Sequence, residues 1–86
     1  MALTVSIVSA AEEVWTGEAT QVIAKTVEGE IGFMSGHEPV LAILAEGQVR
    51  ITQADGSKVI ASADDGFLSM ENDELTIVAG NAALQS

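Results

Sequence analysis

The chain reads as an all-β sandwich or barrel, because apolar and polar residues alternate in short runs and turn-forming pairs separate those runs roughly every 8–12 residues. Size adds a third observation. Eighty-six residues support one hydrophobic core and not two, since two half-size cores would bury too little apolar surface to offset chain entropy. A lone sheet buries only one face, so the strands are expected to close on one another or stack in layers.

Each run justifies its strand in turn. Leu3, Val5 and Ile7 alternate with Thr4 and Ser6, the period of a half-buried strand. Val22 and Ala24 alternate with Gln21 and Lys25, Val49 and Ile51 with Gln48 and Arg50, and Leu75 and Ile77 with Thr76. Two stretches compete for helix. Ser9-Ala10-Ala11-Glu12 has capping-box spacing, and residues 39–45 begin with Pro39 ahead of an apolar run. Both are shorter than the roughly 12 residues an isolated helix needs, and strand structure is favoured for both.

Turn signals fall at Glu28-Gly29, Glu46-Gly47, Asp55-Gly56, Asp64-Asp65-Gly66 and Glu71-Asn72-Asp73. Asp55-Gly56 is the strongest, because a two-residue primed turn needs positive φ at both positions. It is expected to join residues 48–54 with residues 57–63. The sandwich domain is expected to occupy residues 1–80, with 81–86 a loosely held tail.

Thirteen acidic side chains face only Lys25, Arg50 and Lys58, giving a formal charge of −10. Phosphate backbones and anionic lipid headgroups are repelled by such a field, and binding them needs basic footprints. Nucleic acid and direct lipid binding are therefore not expected. The charge serves solubility or a basic partner, and composition does not choose between them. There is no cysteine, hence no disulfide, thiolate zinc site or cysteine nucleophile. The first four residues hold no basic stretch ahead of an apolar one, and the longest apolar run, residues 40–45, is far below the roughly 20 residues that span a bilayer. Neither a signal-bearing precursor nor an integral membrane protein is expected.

No constellation for chemistry stands out. The single histidine lies in Ser35-Gly36-His37-Glu38-Pro39, but triad members meet through the fold, so adjacency in one loop does not support a hydrolytic site. A surface or interface role suits His37 better. The acidic turns lack the ligand spacing of a calcium loop. No metal, cofactor or small-molecule substrate is expected, and the chain is not expected to be an enzyme.

Gly29-Glu30-Ile31-Gly32-Phe33-Met34-Ser35-Gly36-His37-Glu38-Pro39-Val40-Leu41 is the most specific stretch. It resembles the signature of the epsilon subunit of F-type ATP synthases: Gly, acid, apolar, Gly, two residues, Pro-Gly-His, any residue, Pro and an apolar pair. Val8-Ser9-Ala10, Trp15-Thr16-Gly17-Glu18-Ala19, Gly47-Gln48-Val49-Arg50-Ile51 and Gly66-Phe67 also fit the family's order, so the resemblance spans nearly the whole chain. One departure is local. Ser35 stands where the family usually has proline, which removes a fixed φ and predicts a more mobile loop. Family members commonly continue into a two-helix hairpin that restrains ATP hydrolysis, and none of its functions is expected of these residues.

The resemblance implies a flattened ten-strand β-sandwich at the foot of the central stalk, between the gamma subunit and the polar loops of the membrane c-ring. It implies a non-catalytic rotor subunit, peripheral on the cytoplasmic face of a bacterial plasma membrane. Glu28, Gly29 and Glu30 correspond to the ring-facing turn, and the loop with Gly36 and His37 to a region beside gamma. The residues themselves agree with the first assignment, since a glycine between two acids suits a tight turn that projects both carboxylates. Phe33, Met34, Val40 and Leu41 are candidates for an apolar patch against gamma, although at least one of Val40 and Leu41 must be core. A free-standing acidic sandwich that binds a soluble basic protein explains charge and strands equally well, but not the long signature.

Overall fold

The computed structural model describes residues 2–10 and 12–85. Eight strands follow one another: β1 (Leu3–Ser9), β2 (Glu13–Ala19), β3 (Gln21–Thr26), β4 (Gly29–Phe33), β5 (Val40–Ile43), β6 (Gly47–Thr52), β7 (Lys58–Glu71) and β8 (Glu74–Gln85). No helix interrupts them among the described residues. Among the described residues, both segments that competed for helix are non-helical. Residues 40–43 form β5, and Ser9 N–H donates to Glu12 O (2.8 Å) to tighten the β1–β2 connection. Ala11, inside the capping-box spacing, lies outside the described residues, as do Met1 and Ser86.

The strand order is β2-β1-β8-β7-β6-β3-β4, with β5 also pairing β7. All pairings are antiparallel except β1 with β8, where Thr4 to Ser9 run beside Glu74 to Ala79 in the same direction. β7 and β8 are long enough to serve two layers. The first half of β7 pairs β6 and its second half pairs β5, while β8 follows it throughout. The resemblance implied ten strands, and the described residues form eight. The difference is the continuous β7–β8 hairpin, which places one half in each layer, so that two long strands stand where four shorter ones would be counted.

The bend between the halves falls at Asp65, which has φ 60°, beside Gly66. A Cβ on Gly66 would lie 1.8 Å from Val78 O and 2.7 Å from Ala79 Cα, so only glycine lets β8 pass this closely. The two layers enclose one core. Leu3, Val5 and Ile7 of β1, Val22 and Ala24 of β3, Val49 and Ile51 of β6, Leu68 and Met70 of β7, and Leu75 and Ile77 of β8 are all fully buried or nearly so. These include every apolar position that the alternation picked out. The molecule measures 30 × 27 × 20 Å, and its short dimension fits two sheets about 10 Å apart with side chains outside them.

One turn differs in type from expectation. Gln53 pairs with Ser57 and Gly56 N–H donates to Gln53 O (2.9 Å), so residues 54–56 form a three-residue loop with φ 87° at Gly56. Asp55 does not take positive φ; a type I turn followed by a left-handed glycine replaces the primed turn. The primed turn instead joins β7 to β8, where Asn72 (φ 51°) and Asp73 (φ 61°) sit between the paired Glu71 and Glu74. β8 also runs past the expected boundary at residue 80, with Asn81, Ala82 and Ala83 paired to Asp64, Ala63 and Ser62. Ladder hydrogen bonds to β7 hold this segment, which composition alone reads as a tail.

Candidate functional site: docking surfaces

The acidic tip is the β3–β4 hairpin. Its central residues are Val27 and Glu28, between paired Thr26 and Gly29, so the tip sits one residue earlier than the Glu28-Gly29-Glu30 spacing suggests. Buried Thr26 shapes it: its hydroxyl donates to Gly29 O (2.8 Å) and accepts from Glu28 N–H (3.1 Å). Gly29 takes φ 118°, and Glu28, Gly29 and Glu30 are all exposed. Val27, 63% exposed, shares the tip with the acids. Lys25 stands opposite Glu30 across the hairpin, but its aliphatic stem lies against Gly47.

The second set divides between core and surface. Phe33 is 0% exposed and faces no partner directly, because β4 turns odd positions inward. Met34, the next residue, points out at 58% exposure. On β5 the same alternation places Val40 against the core and Leu41 outside at 76% exposure. Ile43 (62%) and Phe67 (44%) extend this exposed apolar surface, and Ile43 pairs directly with Phe67. Period two from Leu41 points to Ile43. Phe67 carries no such signal, since only the β5–β7 register brings it alongside. Asp64, Asp65 and Asn81 border the groove that Ile43 and Phe67 line, giving the apolar strip an acidic edge.

The loop from β4 to β5 carries Gly36 and His37. His37 N–H donates to Met34 O (3.1 Å), and Gly36 has φ 88°, which makes residues 34–37 a type II turn. The His37 ring lies 5.0 Å from that of Phe33 at 50°, and its Nδ1 donates to Glu38 O at 2.8 Å. Ser35 does not join it in a relay; its hydroxyl donates to Asp73 Oδ2 (2.9 Å). Gly36 N–H donates to Asp73 Oδ1 (2.7 Å). These two donors hold the Asp73 carboxyl below its ordinary pKa. The loop expected to be mobile for want of proline is thus tied to the β7–β8 turn.

β5 connects the two surfaces. It begins beside the His37 loop, and at its far end Ile43 O accepts from Val27 N–H (3.0 Å) at the acidic tip. Leu44 bridges Thr26 just beyond. Loop, apolar strip and acidic tip therefore follow one another along a single edge strand. Among the described residues, no group of three or more His, Cys, Asp or Glu side chains is placed to hold a metal ion.

The class these features define is a small two-layer, mostly antiparallel domain offering contact surfaces. The family described as the β-sandwich domain of the ATP synthase delta/epsilon chain matches residues 2–85, and the chain belongs to it. It is 49% identical over 83 residues to an ATP synthase epsilon chain of Rhodococcus opacus, covering 95% of this chain and 68% of that one. It is 45% identical over 82 residues to those of Streptomyces coelicolor and Micrococcus luteus, covering 95% of this chain in each case. The chain spans 66% of the Streptomyces relative and 90% of the Micrococcus one. Among solved structures, a chain of the Euglena gracilis mitochondrial ATP synthase superposes with a TM-score of 0.90 at 21% identity, covering 96% of this chain and 53% of that one. That likeness concerns the fold.

Proposed function

We propose that this chain is the sandwich part of a central-stalk epsilon subunit, a non-catalytic rotor element that couples the gamma subunit to the c-ring during proton-driven ATP synthesis. Family membership across residues 2–85 carries the reading. Its relatives at 45–49% identity are named epsilon chains of ATP synthase. The Euglena neighbour comes from an assembly containing F1 and a c-ring, and a Tetrahymena thermophila neighbour from a central stalk with its c-ring. The subunit sits peripherally on the cytoplasmic face of the bacterial plasma membrane in this reading.

Gamma docks on the edge formed by Met34, Gly36, His37, Leu41, Ile43 and Phe67, while Glu28, Gly29 and Glu30 meet basic groups on the ring loops. Phe33 and Val40 support this surface from below. Magnitudes divide the labour: fully burying a Leu, Ile or Phe side chain is worth about 1.5–3 kcal/mol, whereas an exposed ion pair at the tip contributes about 0.2–1 kcal/mol. Affinity therefore comes from the apolar strip and register from the acids. Torque passes through the domain as through a wedge, because hydrogen-bonded ladders in both layers resist shear.

Titration calorimetry against purified gamma subunit of the same organism tests the reading. One-to-one binding is expected, weakened roughly thirtyfold or more in Leu41→Asp and Ile43→Asp, since truncating a central anchor costs about 2 kcal/mol or more. Both side chains are exposed, so the variants remain folded; Phe33→Asp would test the core instead. Unchanged affinity in both variants removes the strip from the proposal.

A further inference from the structure

We infer that Asp73 is a positioning residue for gamma binding: its carboxylate clamps the Ser35-Gly36 turn so that His37 and the start of β5 are held ready for the partner. The inference rests on the stalk reading above for its partner and on geometry alone for the clamp. One carboxylate takes both central residues of the turn, accepting from Gly36 N–H at 2.7 Å and from the Ser35 hydroxyl at 2.9 Å. Asp73 lies 37 residues from Gly36 in sequence, so this closure is tertiary and not part of the turn's own chemistry.

The second position of a type II turn favours proline, whose ring sets φ in advance. Ser35 supplies no such restraint, but it does supply the hydroxyl that Asp73 binds. A hydrogen-bond donor has taken the place of a covalent restraint. Charge on the acceptor strengthens both bonds, and an aspartate carboxyl is ionised at neutral pH.

The clamp is itself fixed. Asp73 holds φ 61° in the tight turn between β7 and β8, and its carbonyl accepts from Thr4 N–H (2.8 Å) at the start of β1. A non-glycine residue in this conformation persists where its surroundings determine it. Downstream of the clamped turn, His37 is seated 5.0 Å from Phe33, and the chain enters β5 three residues later at Val40. Without the clamp the loop samples other conformations, and apparent affinity falls by the fraction of time it is correctly shaped.

Asp73→Gly is the informative variant, because it removes the carboxylate while placing at this position the residue that most easily takes positive φ. It is compared with the Asp73→Gly, Ser35→Pro double variant, in which a fixed φ replaces the clamp. Amide exchange of Gly36 in the isolated chain, followed by NMR, reads the clamp; titration with purified gamma subunit reads its consequence. Exchange at Gly36 is expected to accelerate about tenfold or more in Asp73→Gly. Gamma affinity is expected to fall about three- to tenfold and to return within about twofold of the unaltered chain when Ser35→Pro is added.

Unchanged exchange at Gly36 overturns the clamp. Faster exchange with unchanged affinity overturns the positioning role, and so does a loss of affinity that Ser35→Pro does not repair. If the unaltered chain does not bind gamma at all, the stalk reading fails and the positioning role with it, while the exchange rates judge the clamp separately.

Discussion

At the scale of single residues, the carboxylates at turns do more than face water. Asp55 accepts from the Ser57 hydroxyl (2.6 Å) and backbone N–H (2.9 Å), and Asp73 from Gly36 and Ser35; each has its pKa lowered by those donors. A carboxyl with a lowered folded-state pKa binds its proton more weakly in the fold than in the unfolded chain. Its contribution to stability is therefore complete above the ordinary carboxylate value and disappears as pH falls through the folded-state value. Equilibrium denaturation of Asp73→Gly is expected to show a shallower loss of stability than the unaltered chain as pH falls below the ordinary carboxylate value of about 4. Parallel pH profiles for the two would show that Asp73 gains nothing from its donors. The clamp was not legible in the sequence, because the Ser35-Gly36 loop and the Asp73 turn meet only after the strands between them have folded together.

At the scale of elements, the β7–β8 hairpin governs the architecture. Its bend at Asp65-Gly66 lets one pair of strands serve both layers, and the space at Gly66 is closed by backbone atoms that no rotamer change relieves. Gly66→Ala is expected to cost at least about 3 kcal/mol, a large share of the roughly 5–15 kcal/mol that holds a small domain together. Gly80→Ala provides the contrast. A Cβ there would come nearest the Asp65 Oδ2 atom at 2.9 Å, the free end of a side chain that moves aside, so its cost is expected to stay near 1 kcal/mol. Thermal denaturation of the two variants compares them, and equal losses would mean that the bend does not depend on close approach at Gly66. The sequence marks Asp64-Asp65-Gly66 as a turn; the structure uses it to bend a strand pair that continues on both sides.

At the scale of the whole molecule, charge and connectivity work together. The first strand lies parallel to the last, so the sheet closes only when both ends of the chain have come together. A formal charge of −10 surrounds this sandwich, and the attraction proposed between its acidic tip and basic ring loops would be screened by salt over about 10 Å at 0.1 M. Replacing Glu28 and Glu30 together by lysine is expected to weaken attachment to isolated c-ring several-fold at low salt, with the difference shrinking as salt rises. Ring binding that is unaltered at low salt would remove the tip from the contact.

The sequence by itself determined the all-β class, the single core and the inward-facing residues of β1, β3, β6 and β8, because a period of two is a local property that burial then enforces. It also carried the family signature and marked Glu28 and Glu30, with Phe33, Met34, Val40 and Leu41, as surface candidates. Only the tertiary structure decided the rest. Period two tells which residues share a face, not which face is covered, so Phe33 fell to the core while Ile43 and Phe67 joined Leu41 outside. Composition made residues 81–86 a tail, whereas pairing with β7 makes residues 81–85 part of a strand. The Asp73 clamp belongs wholly to this second kind, since hydrogen bonds between residues 37 and 38 positions apart depend on register and bending that no local pattern encodes.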